Sequence, residues 1–226
     1  MLRLKCKVYE KESGNNMKNK KGFTLIELLA VITIMGILML VAIPAVSRTI
    51  ENTRRDSFNN LAKQYIETIR NAAIADELKC GTYTTSSTHQ AVTATTAGTY
   101  YFAVSTADFG NDTANNYVKT QTQDLMESGG KSSWGNNDVV GVIKWVKEAI
   151  NNSVTGGFKS TYSIFLIDRG NHGIDTMTEE KSLTRTVVKT STTKTYGSAS
   201  EGAIKSKGDL LTSAELSGAT ECWLAA

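Results

Sequence analysis

The 226-residue chain is long enough for one globular domain with an appendage, and its 40% apolar content is that of a protein with a core. Its formal charge of +3 is uneven, because residues 1–22 hold seven Lys or Arg against two Glu and leave eighteen basic and twenty acidic residues beyond. The slightly acidic body excludes the dense basic stripe of a dedicated nucleic-acid binder.

The chain opens on a basic segment, residues 1–22, with two possible starts. Met1 gives a leader of 22 residues, and Met17 gives the six-residue MKNKKG, the preferred reading. From Phe23 to Val46 follows FTLIELLAVITIMGILMLVAIPAV, in which Glu27 is the only charge. A helix of these 24 residues is about 36 Å long, enough to cross a hydrocarbon core of roughly 30 Å.

Three readings compete for such a run: a secretory signal peptide, a plain anchor, and a leader followed by a retained anchor. A signal peptide needs a shorter apolar core and a small-residue cleavage site behind it, and Pro44 and Ser47 offer none. A plain anchor explains the length but not Glu27, since a carboxylate deep in a bilayer costs at least ~2.5 kcal/mol on insertion scales. A cut between Gly22 and Phe23 supplies a reason, because it creates an ammonium group four residues ahead of Glu27. In a filament, a staggered neighbour's Glu27 would pair with that ammonium and set the register. The alternatives are a carboxylate paired with its own N-terminus or reaching the membrane interface.

Lys20-Lys21-Gly22-Phe23-Thr24-Leu25-Ile26-Glu27 resembles the processing site of type IV prepilins and the related pseudopilins. The resemblance covers residues 18 to about 78. It implies that a membrane-embedded prepilin peptidase cuts after Gly22 and methylates the Phe23 amine, and that Glu27 is the acid used in assembly. It also implies a leader inside and a body outside the plasma membrane. Charge alone does not fix that orientation, because Arg48, Arg54 and Arg55 follow the span. Gly36 and Pro44 each weaken a helix, and family filaments loosen the helix between such positions.

Beyond Val46, Phe58, Leu61, Tyr65, Ile69 and Ala72 recur at spacings of three and four and predict an amphipathic continuation over 47–80, helical to about Leu78 and stopped by Cys80-Gly81. The head is expected over 81–226. Thr82–Thr99 reads as a surface loop, Tyr100–Ser105 as a strand and Asp108–Asn116 as turn-like. Val139, Val142, Ile143, Val146 and Ile150 predict a second helix over 138–151, broken by Gly156-Gly157. Thr161–Ile167 is the strongest strand signal, Arg169–Gly173 a turn and Leu183–Thr190 a further strand. The expected fold is thus α+β: a long N-terminal helix whose second half packs on an antiparallel sheet, with an additional helix and long loops.

Of the three cysteines, Cys6 falls in the leader, leaving Cys80 and Cys222. In an exported domain an even pair points to a disulfide, worth roughly 4 to 5 kcal/mol for so long a loop on the chain-entropy model; two unpaired thiols are the alternative. Two cysteines without nearby histidines make too few ligands for a closed zinc site, and no metal or cofactor is expected. His89 and His172 read as surface residues outside any catalytic grouping, and Asp108-Phe109-Gly110 lacks the other elements of a kinase. Asp108 with Asp112, and Asp168 with Asp175, are possible oxygen ligands for calcium without the spacing of a calcium loop. The chain is not expected to be an enzyme.

The resemblance implies a structural subunit, held in the membrane by residues 23–46 and then polymerised with its own kind by an ATPase-driven assembly machine. The product would be a surface pilus serving adhesion, twitching motility, biofilm formation or DNA uptake, with host surfaces or DNA as further partners. Two alternatives remain. One is a pseudopilin of a type II secretion or competence system. The other is a membrane-anchored binding protein or enzyme that never polymerises.

Overall fold

The protein is described by a computed structural model over residues 22–75, 78–80, 97–106, 129–150, 157–196, 203–204 and 220–224. The leader up to Lys21, with Cys6, most of the Thr82–Thr99 loop, His89 and the Asp108–Asn116 stretch lie outside the described residues. Contacts divide the chain between Ser47 and Arg48 into two units.

Helix α1 spans Leu25–Ile74 and is continuous through Gly36 and Pro44. Its part in the first unit is exposed at every residue to Ser47. By length and composition it can cross a membrane.

In the second unit α1 becomes one-sided. Phe58, Leu61, Ala62, Tyr65, Ile66, Ile69 and Ala72 are buried, the stripe that 3.6-residue periodicity requires. They pack on a sheet of β1 (Leu78–Cys80), β2 (Gly98–Ser105), β3 (Val139–Ala149), β4 (Phe158–Asp168), β5 (Gly173–Glu179) and β8 (Thr220–Leu224); β6 (Thr195–Tyr196) and β7 (Ala203–Ile204) form a separate parallel pair. The sheet order is β1-β8-β2-β3-β4-β5. Strands β2 to β5 are antiparallel neighbours, whereas β8 joins β2 in parallel and β1 antiparallel. Apolar residues fill both faces. Phe102, Val104, Ile143, Trp145, Ile164 and Leu166 face the helix cluster, and Tyr101, Ala103, Val140, Val142, Phe165 and Ile167 form a second cluster with Tyr196.

Polar contacts tie α1 to the loops around this core. The Tyr65 hydroxyl donates to the Gly130 carbonyl at 2.9 Å, and Ser133 donates to the Arg54 carbonyl at 2.8 Å. Arg185 donates to both oxygens of Asp56, at 2.7 and 2.5 Å. Arg70 bonds Glu67 and Glu180 and stands over the Tyr162 ring, which stacks on Trp145.

Four sequence expectations are corrected. Residues 138–151 are not a helix, because Val139–Ala149 is the strand β3. A strand buried on both faces carries apolar residues at nearly every position and so contains any spacing, including three and four. Its β-branched run favours the extended state, and a Cβ on Gly141 would stand 2.1 Å from the Phe165 carbonyl, so glycine permits the close approach of β4. Helix α1 ends at Ile74, before Leu78, where the apolar stripe gives way to Asp76-Glu77, charges that oppose the helix dipole at a C-terminus. Cys80-Gly81 is therefore not its stop, since Cys80 lies in β1. Leu183–Thr190 is not a strand. In a strand Leu183 and Val188 would face opposite sides, and the 3-10 turns Glu180–Ser182 and Arg185–Val187 let both enter the helix-side cluster. Finally, His172 is not a surface residue but partly buried, with its ring stacked on Trp134.

Candidate processing and assembly site

Gly22, Phe23 and Thr24 precede the first helical residue, Leu25, and are exposed. A Cβ on Gly22 would meet no atom within 4 Å, so folding of the subunit does not require glycine there. Phe23 presents 88% of its surface.

Glu27 is held by a reciprocal pair of contacts. The Thr24 amide donates to Glu27 Oε2 at 2.8 Å and the Thr24 hydroxyl to the same oxygen at 2.9 Å. The Glu27 amide in turn approaches Thr24 Oγ1 at 3.3 Å. Thr24-x-x-Glu27 is thus a capping box that satisfies amides at the start of α1. Sequence reasoning singled out Glu27 and missed Thr24, although a Thr three residues ahead of a Glu before an apolar run is the readable signature of such a box.

Gly36 and Pro44 lie within α1, and a Cβ on Gly36 also meets nothing within 4 Å. Pro44 has no amide hydrogen to donate to the Leu40 carbonyl. In the second unit, β1 and β8 bring Cys80 directly opposite Cys222, and Cys222 is disulfide-bonded and buried.

Two other polar clusters lie in the second unit, around Asp168 and around Asp175. Asp168, fully buried, accepts the Ser132 hydroxyl at 2.6 Å and the His172 amide at 2.8 Å, and lies 3.0 Å from His172 Nδ1. His172 stacks on Trp134 with ring centroids 4.7 Å apart, and Trp134 meets Phe58 on α1. Ser132 donates to the carboxylate and not to the imidazole, so these residues form a structural knot and not a nucleophile-base relay. Asp175 is engaged by Lys189 at 2.9 Å and by Thr193 at 3.3 Å. Burial alone would raise the Asp175 carboxyl, but these donors more than offset it and hold it below its ordinary value. Both aspartates thus have protein partners, and among the described residues no three His, Cys, Asp or Glu side chains gather around either.

Residues 17–43 match the family model of the prokaryotic N-terminal methylation motif. No match was found among curated proteins or among solved structures. The matched residues cover the basic hexamer, the Gly22-Phe23 junction, Glu27 and most of the exposed apolar helix. The motif and the helix together fit a membrane-anchored precursor of the type IV pilin or pseudopilin kind.

Proposed function

We propose that the chain is a structural subunit of a type IV pilus, cut between Gly22 and Phe23, methylated on the new Phe23 amine and polymerised through α1. The observation that carries this reading is the methylation motif at residues 17–43, running into an apolar helix with no cover among the described residues. An apolar helix leaves lipid readily only for surroundings as apolar as lipid, which a bundle of identical helices supplies. The head residues, folded on their own core, then lie at the surface of that bundle. We assign Cys80 as the disulfide partner of Cys222, in keeping with an oxidising, extracytoplasmic setting for the head. The role is structural and not catalytic, with other copies of the chain, a processing peptidase and an assembly ATPase as partners.

Intact-mass measurement of the mature protein tests the processing step. A mass starting at Phe23 with one added methyl group is expected, and a filament subunit that retains Met1 or Met17 overturns the reading. The same motif serves pseudopilins. Shearing surface filaments and identifying their main subunit separates a pilus from a short secretion pseudopilus.

A further inference from the structure

Strand β4 outruns its outer neighbour. It pairs with β3 over its whole length, from Phe158 opposite Ala149 to Asp168 opposite Val139, but with β5 only between Ile167 and Ser163, where Glu179 is the last partner. The chain then leaves the sheet, as Glu180 opens a 3-10 turn and bonds Arg70 on α1. Bonds at the two ends of β4 fix which way its peptide groups point. Ile150 donates to the Gly157 carbonyl and Arg169 to that of Asp138, so odd-numbered residues of β4 face β3. Asp168 donates to the His172 carbonyl, so even-numbered ones face the other way. Phe158 and Ser160, past the last β5 partner, therefore turn N–H and C=O outward, and among the described residues nothing bonds those groups. Both residues are exposed. Against this edge lies a cavity of about 630 Å³, lined in part by Val146, Ser160, Thr161, Ser163, Met177 and Glu179.

Unpaired donors and acceptors along a strand are a template for a further strand, and the cavity beside them has room for the side chains of one. The charges around it are matched within the chain. Lys181 meets Glu179 at 2.7 Å, Arg70 meets Glu180, and Glu148 stands directly opposite Lys159. The notch thus asks its occupant for backbone groups and not for charge, which an uncharged extended segment supplies. Resting on the pilus reading above, we propose that the Phe158–Ser160 edge of β4 takes such a segment from a neighbouring copy of this chain. In a filament the neighbouring copy is the polypeptide each head meets at high local concentration. An edge that pairs with a different segment of the next copy makes a heterologous contact, which repeats without closing, as a filament requires. The contact joins heads, where α1 joins cores.

Hydrogen exchange of the full chain, in sheared filaments and as the detergent-held subunit, reads this edge directly. The Phe158 and Ser160 amides are expected to exchange fast in the subunit and about tenfold more slowly in the filament, while the Lys159 and Thr161 amides, which face β3, are slow in both. Two variants separate the backbone from the side chain. Ser160→Pro removes the outward donor and leaves the bonds to β3, and proline is tolerated on a strand edge. Ser160→Ala keeps that donor and loses only the hydroxyl. Co-expressed with the wild-type chain, the Ala variant is expected to enter filaments as wild type does, and the Pro variant about threefold to tenfold less, the loss of one hydrogen bond. Denaturant unfolding in detergent checks that each variant is folded, and if the Pro variant is not, the exchange rates decide alone. Exchange equally fast in both states, exchange already slow in the subunit, wild-type entry of a folded Pro variant, or loss of the Ala variant each overturns the strand contact and leaves the pilus reading standing. A chain recovered in no filament overturns the pilus reading and this contact with it.

Discussion

One helix passes through two environments, and the contrast between its halves separates what the subunit needs in order to fold from what it offers to others. From Leu25 to Ser47 every side chain is exposed, including Leu29, Ile32, Met35 and Leu38. From Phe58 to Ala72 the apolar side chains are buried against the sheet. Each half is apolar enough to demand cover. Among the described residues only the second finds that cover in its own chain, and under the proposed function lipid or neighbouring subunits cover the first. A monomeric soluble protein exposing so much contiguous apolar surface would aggregate.

The sharpest way to break this contrast is to truncate one apolar residue in each half. Phe58 is fully buried, meets Trp134 with ring centroids 5.6 Å apart and lies against Gly173. Phe58→Ala is expected to cost about 3–5 kcal/mol, a large part of the stability of one domain. Leu29, 58% exposed, is expected to cost the head nothing when changed to Ala. Denaturant unfolding of the full chain in detergent, followed by tryptophan fluorescence, reads both, since Trp134 and Trp145 are buried in the head. Equal losses for the two variants would show that the halves fold as one unit and undo the comparison.

A smaller effect sharpens the account of the sheet. Gly141→Ala places a Cβ 2.1 Å from the Phe165 carbonyl and 2.9 Å from Leu166 Cδ1. Backbone cannot yield as a side-chain end does, so a loss of about 1–3 kcal/mol is expected in the same unfolding measurement. A neutral result would mean that β3 and β4 separate more easily than their 11-residue pairing suggests.

How far the sequence could be read follows the same division. The first half of α1 was legible almost residue by residue, because its signals are local: basic residues, the Gly22-Phe23 junction, Glu27 and an uncharged run in order. The stripe from Phe58 to Ala72 was legible because a helix with one buried face keeps its period. The head was harder. β3 was misread because burial on both faces, a property of the finished sheet, erases the alternation that marks a strand. Leu183 and Val188 were misread because 3-10 turns change which residues share a face. The Ser132–Asp168–His172 knot joins a loop to a turn across 36 residues, and no local spacing announces it. Thr24 is the opposite case, a local signal three residues from Glu27 that was available and passed over.

The smallest expected effect concerns the seam where the helix meets the loops. The Tyr65 ring is buried and its hydroxyl donates to the Gly130 carbonyl, where φ is +72° and a Cβ would strike Tyr65 Oη at 2.4 Å. Tyr65→Phe keeps the ring in the core but leaves that carbonyl without its donor, for a loss of about 1 kcal/mol. Burial also raises the Tyr65 phenol well above its ordinary value, and burial pushes Tyr196 on the opposite face of the sheet up to about 12. A phenol whose folded pKa exceeds its unfolded value near 10 contributes stability that is complete below pH ~10 and declines as pH rises toward the folded value. The head should therefore lose stability above pH 10, and Tyr65→Phe should flatten that decline while lowering stability at neutral pH. An unchanged alkaline slope would place the titrating group elsewhere. The exposed first half of α1, from Leu25 to Ser47, carries no tyrosine and should contribute nothing to the slope.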